Sequence, residues 1–108
     1  MKHLFLPIEL SFLAKEKGFD EPCFGLYLKQ GNFKLADYVG QEFVFNNDTI
    51  DEACTAPLYQ QIIDWFKRKH EILIAERWDA WEYAKFEWYD FIICKTKDDA
   101  IKAAFKMI

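Results

Sequence analysis

The chain has 108 residues, 52% of them hydrophobic and 19% aromatic, with a formal charge of −4. That length holds one core, so a single domain over 1–108 is expected, packed rather than disordered. No apolar run reaches the roughly 18–20 residues that cross a bilayer, and the acidic balance lacks the net basic stripe of a duplex nucleic-acid surface.

The first residues, Met1-Lys2-His3-Leu4-Phe5-Leu6-Pro7-Ile8-Glu9, set a lysine before an apolar stretch, as a signal peptide does. Glu9 interrupts that stretch, and Lys15-Glu16-Lys17 stands where a small-residue cleavage site belongs, so a cytoplasmic protein is expected. Helix one should run from about residue 7 to 17. Pro7 suits the first helical position and Gly18 the left-handed C′ position, with Phe19 folding back on Leu13 or Ala14. Its apolar stripe reads as Ile8, Phe12 and Leu13, with Glu9, Lys15, Glu16 and Lys17 largely away from it.

Asp20-Glu21-Pro22 ends the helix and leads into an extended segment, Cys23 to Leu28. Lys29-Gln30-Gly31-Asn32 reads as a turn, after which Phe33-Lys34-Leu35 returns as a second strand. From Ala36 to Cys54 the pattern is weakest. Glu42-Phe43-Val44-Phe45 suggests a short strand, and residues 46–54 a surface loop with little regular structure. From Leu35 to Ala56 there is no lysine or arginine, whereas Asp37, Glu42, Asp48, Asp51 and Glu52 are acidic.

Helix two is the clearest element, expected over 56–69. Thr55 offers an N-cap, Pro57 fits the first turn, and Leu58, Ile62 and Phe66 recur every four residues beside Tyr59 and Ile63. The basic run Lys67-Arg68-Lys69-His70 closes it, where cations complement the helix dipole. Gln60 and Gln61 are not explained by packing. They are candidate hydrogen-bonding contacts for a partner, although two amides are also ordinary helix formers in water.

Ile72 and Ile74 begin a strand, Asp79-Ala80 turns the chain, and Trp81 to Trp88 returns, making a hairpin inside 71–94. Ala84, Phe86 and Trp88 share one face and Tyr89, Phe91 and Ile93 the other. A bulge or short turn near Glu87–Asp90 reconciles the two. Thr96-Lys97-Asp98-Asp99 is a capping-box variant opening helix three, over 97–107, on which Ile101, Phe105 and Ile108 recur. The order α-β-β-α-β-β-α describes an α+β domain with helices packed on a mainly antiparallel sheet. Leu13, Leu58, Ile62, Phe66, Ile101 and Phe105 are its expected core.

Two strings carry a resemblance: Leu6-Pro7-Ile8-Glu9-Leu10 through Lys15-Glu16-Lys17-Gly18-Phe19-Asp20-Glu21-Pro22-Cys23, and Ala56-Pro57-Leu58-Tyr59-Gln60-Gln61-Ile62-Ile63-Asp64-Trp65-Phe66 through Lys69-His70. Together they resemble a family of small proteins encoded by phages and prophages, which also end in an alanine-rich helix like Asp99-Ala100-Ile101-Lys102-Ala103-Ala104. The matching strings cover under half the chain. The resemblance implies a cytoplasmic, mobile-element setting and no reaction.

Chemistry has few candidates. Cys23, Cys54 and Cys94 are widely spaced and distant in sequence from His3 and His70, so no metal site, cofactor or redox pair is expected. Cys94 with His70 would make a nucleophile and base, but nothing in the sequence places them together. The lone serine, Ser11, has no nearby histidine, and the four glycines form no phosphate loop. Asp79, Glu82, Glu87 and Asp90 lie among aromatics, which raises a carboxyl pKa where they are buried; alternation with aromatics is also what the wet face of a sheet shows.

Residues 78–91 hold the strongest functional signal. Seven of these fourteen residues are aromatic, and three of the chain's four tryptophans fall here. Seven large rings exceed what one side of a small core absorbs, and aromatics anchor protein interfaces. Trp78, Trp81 and Tyr89 are therefore the candidate contacts. The expected function is a non-enzymatic interaction module for a protein partner or a second copy. The alternative is a single-strand nucleic-acid binder that stacks bases on these rings, against which the neighbouring acids count.

Overall fold

The computed structural model describes residues 2–28, 31–88 and 90–108. Its elements are α1 (Ile8–Glu16), β1 (Gly25–Tyr27), β2 (Phe33–Leu35), β3 (Cys54–Ala56), α2 (Tyr59–His70), β4 (Ile72–Glu76), β5 (Trp81–Lys85), β6 (Ile92–Cys94) and α3 (Lys97–Phe105), with short 3-10 turns between. All strand pairing is antiparallel, in two sheets ordered β2-β1-β3 and β4-β5-β6. The α+β class follows, with the three helices near their expected positions. The contacts divide the chain into two compact units, 1–59 and 60–108.

In the first unit α1 stops as its residues dictate. Gly18 takes φ +93°, its N–H donates to Lys15 O at 3.1 Å, and Phe19 N–H donates to Ala14 O at 2.9 Å. This pair of bonds is the Schellman stop, which a left-handed residue at C′ makes possible. The buried face is not the expected stripe. Leu10, Ser11 and Ala14 are buried, while Ile8, Phe12 and Leu13 are only half-buried. Ser11 tolerates this because its hydroxyl donates to Leu6 O at 3.1 Å, a carbonyl that also accepts from Tyr27 Oη–H at 2.7 Å.

The β1–β2 hairpin pairs Tyr27 with Phe33; beyond it, Leu28 N–H donates to Asn32 O at 2.8 Å. Gly25 lies beneath two rings: a Cβ there would meet Phe33 Cε2 at 2.9 Å and Phe5 Cε1 at 3.0 Å. Phe5, Tyr27, Cys54 and Ala56 form the centre of this core, with Phe12, Phe33 and Leu58 packed around it.

Residues 36–54 depart most from expectation. Glu42–Phe45 forms no strand, only a bridge between Val44 and Cys23. Residues 46–54 are organised, because the buried Asn46 ties two elements together. Its amide Nδ2 donates to Phe19 O at 2.7 Å and its Oδ1 accepts from Thr55 N–H at 2.9 Å. Lys15, expected to lie away from the apolar stripe, donates through Nζ to Ile50 O at 2.8 Å and Ala53 O at 2.7 Å. Long-range side-chain bonds to backbone leave no periodic signature in sequence.

Thr55 is not the cap of α2. It is a buried residue of β3, paired with Leu26, and its hydroxyl has no partner among the described residues. The helix opens later, at Tyr59, and Leu58 is half-buried just before it. Pro57 is buried outside the helix, where its carbonyl accepts from Leu6 N–H at 2.8 Å.

In the second unit the helical spacing of Ile62 and Phe66 proves to be a buried face, completed by Trp65. Phe66 and Phe105 meet edge-on at 4.8 Å, and Ile101, Ala104 and Phe105 bury the facing side of α3. Thr96 caps α3 as its sequence foretells, its Oγ1 accepting from Asp99 N–H at 3.0 Å. Where α2 ends, Glu71 occupies the left-handed region at φ +55°. The turn falls at Phe86–Glu87, with a bend at Asp90, and Ile92–Cys94 returns as a third strand, β6, instead of continuing β5.

Candidate interaction surface

The surface is built on the β4-β5-β6 sheet of the second unit. Between β4 and β5 the chain turns tightly, with Arg77 N–H donating to Ala80 O at 2.8 Å. A two-sided turn tip has nothing to pack against, and Trp78 stands there 98% exposed. A tryptophan in that position keeps its whole apolar ring in water, which burial against a partner would relieve at about 25 cal/mol per Å².

Along β5 every residue but Ala84 is half-buried, so no alternation of faces shows. Ala84 is buried, while Trp81 and Tyr83 are half-buried. The Lys97 ammonium lies 5.3 Å from the centre of the Trp81 ring, close enough for a cation–π contact at the start of α3. Tyr83 and Trp88 approach to 6.4 Å between ring centres. After β5, Phe86 N–H donates to Glu71 O at 3.0 Å, but the Phe86 ring remains exposed, as do Trp88 and Phe91.

The third strand extends this surface. β6 pairs with β5 on one side only, as the outer strand of the sheet. Register places Ile92 opposite Tyr83 and Ile93 opposite Glu82, so the two isoleucines point to opposite faces. Both are exposed, Ile93 by 57%. An exposed apolar outer strand is ready-made for pairing with another chain unless it is protected.

The candidate contacts thus separate. Trp78 is fully available, Trp81 is half-buried under Lys97, and Tyr89 lies outside the described residues. Gln60 is exposed and Gln61 is half-buried, so the two amides do not form one solvent-facing pair. Sequence reading missed Ile92 and Ile93, whose signal was an unbroken apolar run, Phe91 to Cys94, lacking the alternation that one buried face produces.

The acids among the rings do not gather. Asp79, Glu87 and Asp90 are exposed, and Glu82 faces Arg77, Oε2 to Nε 3.6 Å. The His70 ring stands edge-on to Trp65 at 4.6 Å; burial, with Lys69 adding to it, lowers its pKa. Burial and the nearby Asp99 carboxylate push the Cys94 thiol up, the opposite of what activates a nucleophile. Among the described residues no group of three or more His, Cys, Asp or Glu is placed to hold a metal, and no helix is long and apolar enough to cross a membrane.

A second feature lies in the first unit, where the sequence predicts two strands joined by a turn, a further short strand over 42–45 and a loop over 46–54. Leu26, Leu28 and side chains from 39–53 line an open hollow of about 550 Å³. Buried Leu26, Val44 and Ala53 form its floor, and exposed Val39, Phe43 and Ile50 its rim. Its legible trace was apolar residues set among acids with no cation from Leu35 to Ala56.

Comparison with protein-family models, with characterised proteins and with solved structures finds no match to this chain.

Proposed function

We propose that the chain is a non-enzymatic interaction module that docks a protein, in the simplest case a second copy, through the apolar surface of residues 78–93. The observation that carries this reading is Trp78, 98% exposed beside a sheet whose outer strand presents Ile92 and Ile93 to solvent. Trp and other large aromatics dominate interface energetics because they bury much area for few rotatable bonds. Exposed Asp79 and Asp90 alongside do not oppose a protein and do oppose a phosphate backbone. The resemblance of two strings, in residues 6–23 and 56–70, to small phage and prophage proteins supports a cytoplasmic, mobile-element setting.

Sedimentation of the wild type, Trp78→Ala and Ile93→Lys tests the reading. Association is expected for the wild type, weakened at least about tenfold by each substitution, since interface anchors cost more than about 1.4 kcal/mol when truncated. Both positions are exposed, so melting temperatures should stay unchanged. Self-association or partner capture that neither substitution alters would overturn it.

A further inference from the structure

The hollow within residues 26–53 is held open rather than collapsed. Asn46 is anchored at both ends of its amide, to Phe19 O and Thr55 N–H, and Lys15 Nζ clasps the carbonyls of Ile50 and Ala53, two of the lining residues. These bonds fix the stretch from Asn46 to Ala53, and the Val44–Cys23 bridge fixes the backbone next to Phe43, so the apolar surface of Phe43 and Ile50 stays in water around a preformed space. Its volume, about 550 Å³, falls in the range of small-ligand sites.

The polar groups say which ligand. Gln41, Asp48 and Thr49 are the polar residues of the lining, and Asp48 is its one carboxylate. Around it, Leu35 to Ala56 carries five acids and no lysine or arginine. The Lys15 ammonium that reaches this stretch is held by two carbonyls, and the Lys34 ammonium sits 4.8 Å over the Tyr38 ring, outside the lining. An anion would meet the Asp48 carboxylate here, and a neutral apolar molecule would leave that exposed carboxylate to water and forgo its attraction. We propose that this hollow binds a small apolar molecule bearing one positive charge, such as an aliphatic amine, with the body against Leu26, Val44 and Phe43 and the cation toward Asp48.

Three probes with the same tail separate the terms: decyltrimethylammonium, decanol and decanoate, each below its micellar concentration. Binding is followed by amide shifts of the labelled protein. The expected order is the cation first, decanol about three- to fivefold weaker, and decanoate weakest, as a partly exposed charge pair gives. The shifts should centre on residues 26–53, and the cation's advantage should fall below about twofold in Asp48→Asn or at 1 M salt, where screening acts within about 3 Å. Ile50→Ser, at an exposed rim position, should weaken cation and alcohol alike. Equal binding of cation and alcohol, shifts confined to 78–93, or no binding at all would overturn the proposal. So would binding of a lysine-flanked apolar peptide at 26–53 without binding of the small cation.

Discussion

Cys54 sits at the centre of the first unit's core, and burial pushes its thiol up to about 12, with Lys15 opposing and Cys23 adding to the shift. A thiol that far above neutrality has almost no thiolate, the form that reacts. Cys94 is only partly buried, and Cys23 is fully buried. Alkylation at pH 8 should therefore label Cys94 in the folded protein and reach Cys54 only after denaturation, as mass spectrometry of timed samples would show. Early labelling of Cys54 would contradict the packing. His70 gives a pH test. Its folded pKa lies below the unfolded value because burial, and secondarily Lys69, disfavours the imidazolium. The unfolded chain then binds the proton more readily, so stability is full above the ordinary histidine pKa of about 6.5 and is lost as pH falls through it. Melting temperature should drop between pH 7.5 and 5.5, and His70→Phe should flatten that slope.

Two helix ends make an instructive pair at the next scale. Gly18 and Glu71 both occupy the left-handed region, yet only the first is a glycine. No atom lies within 4 Å of a Cβ at Gly18, so Gly18→Ala is penalised by backbone conformation alone, by about 1 kcal/mol. Glu71→Gly should gain about 0.5–1 kcal/mol by the same reasoning. Chemical denaturation of the two variants checks both signs. The contrast also shows what sequence makes legible. Gly18 marked its helix stop, Thr96 marked its cap, and Ile62 and Phe66 marked a buried face, because each effect is local and periodic. Thr55 misled because a good cap residue is equally at home in a strand, and β3 claimed it through pairing with Leu26. Asn46 and Lys15 were unreadable, since their bonds reach from 9 to 38 residues along the chain with no periodic signature. At the candidate surface, the excess of rings over 78–91 was visible, but the exposure of Ile92 and Ile93 depended on β6 being an outer strand, a fact of topology.

For the molecule as a whole, charge and exposed apolar surface pull in opposite directions. Eighteen acids against fourteen bases leave a net −4 near neutrality, and that repulsion limits association through exposed Trp78, Phe86 and Ile93 to the discrete contact proposed above instead of open-ended aggregation. The repulsion vanishes near the isoelectric point of about 5.1. Light scattering should rise sharply as pH approaches 5, and Ile93→Lys should reduce that rise more than a substitution at a buried position of equal size. Aromatic placement has one more consequence. Trp65, Trp78, Trp81 and Trp88 all belong to residues 60–108, whereas the two fully buried cysteines belong to residues 1–59. Indole emission is therefore an optical reporter of one half of the chain, and thiol accessibility a chemical reporter of the other. A denaturation curve recorded both ways reads each half separately without a single label being introduced. Coincident midpoints mean the halves melt as one cooperative body, and separated midpoints give each its own stability.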